Sequence, residues 1–346
     1  MHAADDSEWL EALQRPPEEL PPDAPKLPSL LEKPDGARIT TLDPWNERRR
    51  AIRAWWLEVL GDIGVDRSRP PKLEVLAEEK LPADDSGVAV VRQLVRYEPE
   101  PGHPTEAYLI KPLDLSEKAP GVVALHSTVD HSIHQPAGVK GAPEKFFGLK
   151  LARRGCVTIS PRNYLWPDND RIDARGEAKR FLERRPHCKG MSKMLHDSLV
   201  AVDILAAMDE VDAGRIGSVG HSLGAKETLY LAAFDERVKV TVSSEGGVGI
   251  RFSNWNDPWY LGGDVDREGF DHEHHELLAL AAPRPFLLLG GDSADGDRSW
   301  PFVERALEVY RLYDELPRLG LFNHKKGHSV PPEAEELIYK WFETWL

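Results

Sequence analysis

The sequence predicts an α/β protein in which a mainly parallel central sheet is covered by helices on both faces. From Pro120 onward, short apolar runs such as GVVALH, CVTISP and RPFLLLGG alternate with helical patterns such as SKMLHDSLVAVDILAAMDEV and FVERALEVYRLY. Strands that are apolar throughout are typical of parallel strands buried between two helical layers. A chain of 346 residues is also long enough to bury such a core within one large domain.

Residues 1–70 are predicted to form an extension ahead of that domain. Residues 1 to about 40 are rich in proline and acidic side chains, a composition that cannot propagate a helix or strand, so we expect them to wrap the surface or to be partly mobile. The run DPWNERRRAIRAWWLEVLGDIG then begins with Asp and Pro, ends with Gly and places Ile52, Trp55, Trp56 and Leu60 on one face. The extension should therefore contain one amphipathic helix that packs against the main domain.

The main domain, residues 71–346, should open with three antiparallel strands, which are KLEVLAEEKL, VAVVRQLVRYE and TEAYLIKP. The alternating strands and helices follow. One later connection, which contains RFSNWNDPWYLGGDVDREGFDHEHHE, is too long and irregular to be a plain link. We expect it to form a small cap insertion at about residues 247–275.

The charge balance excludes some classes of partner. Because 44 Lys and Arg face 58 Asp and Glu, the net charge is −14, and no nucleic-acid partner is expected. Two cysteines, Cys156 and Cys188, provide neither a disulfide framework nor a paired CxxC metal signature. The acidic N-terminus does not resemble a signal peptide, and no run reaches membrane-spanning length. We expect a soluble chain without a membrane partner, cytoplasmic by default and secreted or periplasmic if the N-terminus is processed. The oligomeric state stays open.

A serine stands between two glycines where a predicted strand meets a predicted helix, in RIGSVGHSLGAKE. The stretch from Gly220 to Gly224 fits the pattern Gly-x-Ser-x-Gly, in which small residues permit a tight turn and the strained serine is exposed. The start of a helix favours developing negative charge. We therefore predict Ser222 as a nucleophile and the Leu223 N–H as an oxyanion donor; the alternative is a hydroxyl in an ordinary Gly-rich turn.

A serine nucleophile needs a general base, which in this type of fold follows the acid in chain order. His328 comes after a glycine in the loop between the last predicted strand and the last helix, in NHKKGHSVPPEAEEL. From that loop its imidazole can reach Ser222. His324 is the rival, but it lies closer to the end of the strand. His328 is therefore the predicted base.

Two places in the sequence could supply the acid. The run RPFLLLGGDSADGD contains Asp292, Asp295 and Asp297 just after a strand, where such enzymes usually carry the carboxylate. Glu245 ends the preceding strand, VKVTVSS, and is followed by two glycines. A buried carboxylate at either place could orient the imidazole and stabilise its protonated form. Glu245 and Asp292 are the leading candidates, and Asp295 also remains open.

From about Pro120 to the C-terminus, these motifs resemble the dienelactone hydrolase and acetyl xylan esterase-like branch of the α/β-hydrolases. Features similar to the glucuronoyl esterases are Lys226, four residues after the serine, and Glu245, 23 residues after it. Leu223 stands where glucuronoyl esterases place an arginine. The resemblance implies the α/β-hydrolase fold and ester hydrolysis.

Further side chains are predicted to complete the site. A second oxyanion donor should come from the loop after GVVALH, through the backbone N–H of Ser127 or Thr128. Lys226 could face the substrate, although a lysine on the first helical turn is often solvated. Trp255 and Trp259, in the cap, offer flat faces for a sugar or an aromatic ester, and the alternative is that they form the core of the cap itself.

No metal and no cofactor are expected. His272, His274 and His275 are of the type that binds zinc, but HExxH is absent and their spacing matches no common closed site. The predicted function is a serine-dependent carboxylic ester hydrolase working through an acyl-enzyme, on a small-molecule or carbohydrate ester of the acetyl or glucuronoyl type. The alternative is a peptidase-like or non-catalytic relative that acts as a binding protein.

Overall fold

A nine-stranded sheet forms the centre of the chain in the computed structural model, which describes residues 5–33, 35–313 and 315–346. The strands are β1 (Glu74–Leu81), β2 (Val90–Glu100), β3 (His103–Pro112), β4 (Ala119–Leu125), β5 (Val157–Pro161), β6 (Val211–His221), β7 (Val238–Ser244), β8 (Phe286–Gly290) and β9 (Leu319–Asn323). Their order across the sheet is β1-β2-β3-β5-β4-β6-β7-β8-β9.

The sheet has an antiparallel part and a parallel part. Strands β1, β2, β3 and β5 pair antiparallel in that order, whereas every pair from β5 through β4, β6, β7 and β8 to β9 is parallel. Both features were predicted from the alternation and composition of the apolar runs, and both are confirmed. Because the parallel strands point the same way, their carboxyl ends lie together at one edge of the sheet.

Helices cover both faces of this sheet, as predicted. They are α1 (Asp5–Ala12), α2 (Leu42–Leu60), α3 (Phe147–Ala152), α4 (Ala174–Arg184), α5 (Gly190–Ala207), α6 (Leu223–Phe234), α7 (His275–Ala281), α8 (Trp300–Tyr310) and α9 (Pro332–Trp345). Side chains of α1, α3 and α9 pack on one face, and those of α5, α6 and α8 pack on the other. None of the helices in the described ranges is long and apolar enough to span a membrane.

The N-terminal extension differs from the prediction, because it holds a second helix, α1, in addition to the expected α2. The eight residues of α1 precede the earliest proline, Pro16, so no proline interrupts this helix. Leu10 and Leu13 are buried beside α9. The carbonyl of Leu13 also accepts a hydrogen bond from the N–H of Leu321 at 2.9 Å, so the extension covers the edge strand β9. In α2, Ile52, Trp56 and Leu60 of the predicted apolar face are buried, whereas Trp55 is only half-buried.

The connection after β7, where the sequence predicts a cap insertion, is irregular. Between Glu245 and His274 it contains only two short 3₁₀ turns, Ile250–Phe252 and Gly262–Asp266. Its own buried side chains include Trp255. The connection after β5, residues 162–173, is also irregular and leads into α4, a charged helix that was not predicted. Both connections leave the sheet at its carboxyl edge.

Candidate active site

Ser222 lies in the sharp turn between β6 and α6. Its backbone has φ 60° and ψ −115°, the left-handed region that costs energy for any residue with a side chain. A Cβ at Gly220 would lie 2.3 Å from backbone atoms of Gly224, and one at Gly224 would lie 2.5 Å from the carbonyl oxygen of Leu125. The two glycines are therefore required by contact, and the turn presents the serine at the carboxyl edge of the sheet.

Ser222, His328 and Glu245 line one cavity of about 140 Å³. The Nδ1 of His328 lies 3.0 Å from Oε2 of Glu245. Because an ionised carboxylate only accepts hydrogen bonds, this contact makes Nδ1 the donor and leaves Nε2 as the basic nitrogen. His324, the rival histidine, instead accepts a hydrogen bond from the Lys326 N–H on its Nδ1 at 3.1 Å. The structure thus groups Ser222 with His328 and Glu245.

Glu245 is fully buried, while the side chain of His328 is 43% exposed. The carboxylate accepts hydrogen bonds from the backbone N–H groups of Gly291, Ala294 (2.9 Å) and Asp295 (3.3 Å). Burial acts to raise the pKa of Glu245, but the hydrogen bonds from His328 and from these amides outweigh it and hold the pKa below its ordinary value. The carboxylate is therefore ionised where it faces the imidazole.

The alternative acid, Asp292, does not contact His328. Its side chain is exposed and accepts a hydrogen bond from Asn323 at 2.7 Å. Asp295 is buried but points away, since its carboxylate accepts the N–H groups of Gly247 (2.7 Å) and Val248 (2.8 Å). The expectation for Asp292 was wrong because the turn after β8 presents its backbone amides to the site, and those amides hold the glutamate of the neighbouring strand.

In the loop after β4, one of the two predicted oxyanion donors already has a partner. The Ser127 N–H already donates to Oε1 of Gln135 at 3.0 Å, so it is not free to bind an oxyanion. Thr128 lines the cavity beside Ser222. Leu223 also lines it, and as the first residue of α6 its N–H has no helical carbonyl to bind. The backbone amides of Thr128 and Leu223 are thus the pair that the geometry leaves for this role.

His221 was not singled out from the sequence, although it occupies the variable position before Ser222. It is fully buried, and its ring centroid lies 4.6 Å from that of His328. Its Nδ1 lies 3.0 Å from Oγ of Ser244. Burial lowers the pKa of His221 well below its ordinary value, so a neutral ring packs beside His328.

Lys226 reaches the cavity from the first turns of α6. It is only 4% exposed, its Nζ donates to the carbonyl of Gly246, and it lies 4.3 Å from the centroid of the Trp255 ring. Burial lowers the pKa of Lys226 to about 7. A lysine in this environment can donate a hydrogen bond to a substrate oxygen.

The two tryptophans of the cap have different places. Trp259 lines the cavity, as a substrate-binding residue would. Trp255 does not: it is fully buried among Tyr230, Tyr260 and His274, and its Nε1 donates to the carbonyl of Gly247 at 2.7 Å. The prediction of Trp255 as a substrate contact was wrong, because its side chain forms the core under the cap.

Part of the cavity wall comes from the connection after β5, which the sequence reasoning passed over. Leu165, Ile172 and Ala174 line the cavity opposite the cap. The length and irregularity of residues 162–173 were the available signal, because the same property identified the cap.

Two of the three histidines considered as metal ligands have separate partners, and the third, His275, is buried with neither ring nitrogen hydrogen-bonded to a residue that the structure describes. His274 bonds the carbonyl of Val248 at 2.8 Å and the hydroxyl of Tyr230 at 2.9 Å, while His272 bonds Glu276 at 2.8 Å. Across the described ranges, no three His, Cys, Asp or Glu side chains are grouped as a metal site would require.

A serine at a strand-to-helix turn, a histidine after the last strand and a buried carboxylate meet at the carboxyl edge of a mainly parallel sheet. This arrangement defines the class: the chain is a serine ester hydrolase with the α/β-hydrolase fold. Residues 105–256, which include the serine turn and Glu245, match the dienelactone hydrolase family.

Similar proteins agree with this class. YtaP of Bacillus subtilis strain 168 is 28% identical over 322 residues, which cover 87% of this chain and 99% of YtaP. Carbohydrate esterase MZ0003, from an unknown prokaryotic organism, is 21% identical over 343 residues, covering 83% of this chain and 78% of that protein. Among solved structures, a glucuronoyl esterase from Solibacter usitatus superposes with a TM-score of 0.71 at 20% identity, over 94% of this chain and 98% of that one.

Proposed function

We propose that this enzyme hydrolyses esters carried by carbohydrates, with Ser222 as nucleophile, His328 as general base and Glu245 as the acid that orients the base. The observation that carries the proposal is the 3.0 Å contact between Nδ1 of His328 and the buried carboxylate of Glu245, in the cavity that Ser222 lines. That contact fixes the histidine tautomer that can remove the serine proton.

The reaction proceeds in two halves. Nε2 of His328 takes the proton of the Ser222 hydroxyl as Oγ attacks the ester carbonyl, and the amides of Leu223 and Thr128 stabilise the resulting oxyanion. The protonated His328 then gives its proton to the departing alcohol, which leaves an acyl-enzyme. Water, deprotonated by His328, attacks the acyl carbon, and the proton returns to Ser222 as the acid is released.

The size and lining of the cavity favour a compact, partly polar ester. At about 140 Å³, it is well below the ~300–1,000 Å³ typical of pockets for drug-sized ligands, which favours a short acyl group over a long one. Lys226 offers a hydrogen-bond donor and Trp259 a flat face on which a sugar ring can stack. The names of MZ0003 and of the Solibacter usitatus enzyme support a carbohydrate ester.

The test compares the parent with Ser222→Ala on three substrates: acetylated xylan, the methyl ester of glucuronic acid and 4-nitrophenyl acetate. Ser116→Ala is the matched control, because Ser116 is exposed in the link between β3 and β4. We expect the parent and the control to hydrolyse at least one carbohydrate ester with a higher kcat/KM than the nitrophenyl ester, and Ser222→Ala to lose the activity. A folded parent inactive on all three would favour the binding-protein alternative; activity on the nitrophenyl ester alone would refute the carbohydrate assignment.

A further inference from the structure

A second cavity, of about 280 Å³, lies at the same edge of the sheet as the active site. The turn between β2 and β3 and the segment after β5 form two of its walls, and helices α4 and α5 form the others. No part of the reaction derived above uses it. We call it the remote cavity.

The remote cavity and the active-site cavity share one wall. Leu165 lines the active-site cavity, whereas its chain neighbours Tyr164 and Trp166 line the remote cavity. The distance between the remote cavity and Ser222 follows from the order of the strands. Across the sheet, β6, which leads to Ser222, is followed by β4, β5 and β3. At about 4.8 Å per strand, the remote cavity lies about 10–15 Å from the serine along the sheet edge.

The aromatic part of the shared wall is held in place. Trp166 is 2% exposed, and its Nε1 donates to the carbonyl oxygens of Val129 at 2.9 Å and Asp130 at 3.1 Å. Phe181, from α4, adds a second buried ring to the lining. Because both of these rings are buried, the aromatic surface open to a sugar is that of Tyr164, which is half-buried in the same lining.

The acidic groups in the lining have cationic partners already. Asp197 and Lys193, both buried, pair at 2.6 Å. Glu177 pairs with Arg180 on its own helix at 2.6 Å. Lys193 also pairs with the buried Glu100 at 3.0 Å, and Glu100 has Arg184 and Arg185 as further partners at 3.6 and 3.5 Å, so each of these acidic groups faces at least one cation.

Two arginines in the lining keep donors for a ligand. The carboxylate nearest to Arg162 is that of Glu106, at 3.7 Å, which is ion-pair distance without a hydrogen bond. Arg184 donates to Nε2 of His103 at 2.8 Å and lies 3.6 Å from the carboxylate of Glu100. A guanidinium has five N–H donors, so each of the two can also bind a carboxylate of the ligand.

We propose that the remote cavity is a subsite for an acidic sugar residue, a uronate, belonging to the same glycan whose ester is cleaved at Ser222. The uronate carboxylate binds Arg162 and Arg184, and the sugar ring packs against Tyr164. The subsite lets the enzyme distinguish acidic glycans from neutral ones at a distance from the ester. This inference rests on the proposed carbohydrate-ester function.

Titration calorimetry in the Ser222→Ala background tests it, with a short oligogalacturonate and a neutral xylo-oligosaccharide of equal length as probes. We expect the acidic probe to bind more tightly, and Arg162→Gln and Arg184→Gln each to weaken it by about tenfold or more, as loss of a charged hydrogen bond requires. The control is Arg311→Gln, an equal change of charge at an exposed position at the end of α8; it should bind the acidic probe like the background protein.

Three results would overturn the proposal: no binding of the acidic probe, equal affinity for the neutral probe, or acidic binding that both arginine variants retain. Because binding is measured without the nucleophile, these results do not depend on which ester is hydrolysed. If the subsite binds the acidic probe while the parent cleaves no carbohydrate ester, the proposed function fails and the subsite stands. Arg184 is more exposed than Arg162, so Arg184→Gln keeps the test decisive if Arg162→Gln does not fold.

Discussion

Replacement of Glu245 by glutamine should nearly abolish turnover, although it changes only one atom of the side chain. Oε2 accepts from His328 and from the Ala294 N–H, and Oε1 accepts from the N–H groups of Gly291 and Asp295. A glutamine has one oxygen and one NH₂ group, so in either orientation the NH₂ group faces N–H donors. If it faces His328, then Nδ1 becomes an acceptor and Nε2 carries the proton, which is the wrong tautomer for a base.

The size of the expected loss in kcat follows from the role of the carboxylate in orienting the histidine. Replacing the aspartate of a serine protease triad by asparagine lowers kcat by about 10⁴ with the geometry intact, so a loss of about 10³ to 10⁴ is expected for Glu245→Gln, or about 4 to 5.5 kcal/mol of transition-state stabilisation. At least one backbone N–H also loses its acceptor in either orientation, which costs about 1–3 kcal/mol of folding stability. Asp292→Asn removes no contact to the histidine, and its activity should stay within about twofold of the parent.

The assay is hydrolysis of 4-nitrophenyl acetate by parent, Glu245→Gln, Asp292→Asn and Ser222→Ala, with circular dichroism and urea unfolding to establish that each variant is folded. Ser222→Ala sets the background rate. The assignment of the acid is refuted if folded Glu245→Gln keeps more than a tenth of the parental kcat/KM, or if Asp292→Asn falls as far as Glu245→Gln does.

Three further changes test the surroundings of the triad. Burial lowers the pKa of Lys226 to about 7, so between pH 7 and about 10 the unfolded chain binds a proton that the folded chain lacks. In urea unfolding, the stability of the parent should therefore rise across that window relative to Lys226→Met, by up to about 4 kcal/mol. The same pH dependence of stability in parent and variant would contradict this. Gly220→Ala places a methyl group 2.3 Å from backbone atoms of Gly224, and a loss of about 3 kcal/mol or more is expected in the same measurement. Gln135→Leu leaves the buried Ser127 N–H without an acceptor, so it should cost about 1–3 kcal/mol; an unchanged stability would mean that Ser127 has another partner.

The sheet could be predicted from the sequence because its cause is local. Strands buried on both sides must be apolar throughout, and the antiparallel strands at the edge show the alternation and turn residues of that class. The serine turn could be predicted equally well, because its close backbone contacts at positions 220 and 224 admit only glycine. Helix α1 was not predicted, because the high proline content of the whole N-terminal segment outweighed the eight helix-compatible residues, Asp5–Ala12, that precede the prolines.

The contacts of individual side chains could not be predicted in the same way. The Ser127 N–H is occupied by Gln135, eight residues further on, and nothing in the sequence of that loop indicates the pairing. Trp255 and Trp259 lie four residues apart in the same insertion, yet one forms the core of the cap and the other the wall of the cavity. In each case the contact depends on the conformation of an irregular loop, which the periodicity of apolar residues does not determine.

The choice of the acid has a physical cause in the turn after β8. Its backbone N–H groups converge on Glu245, while the carboxylate of Asp295, in the same turn, accepts the N–H groups of Gly247 and Val248 at the start of the cap. Burial raises the pKa of Asp295, with the charge of Glu245 adding to it, whereas hydrogen bonds lower the pKa of Glu245. Two neighbouring buried carboxyl groups thus diverge in acidity, as expected when one must be charged for catalysis and the other anchors backbone. A single turn therefore holds both the carboxylate that contacts His328 and the start of the cap. Under the proposed function, this accounts for an acid that directly follows β7 instead of lying in the turn after β8.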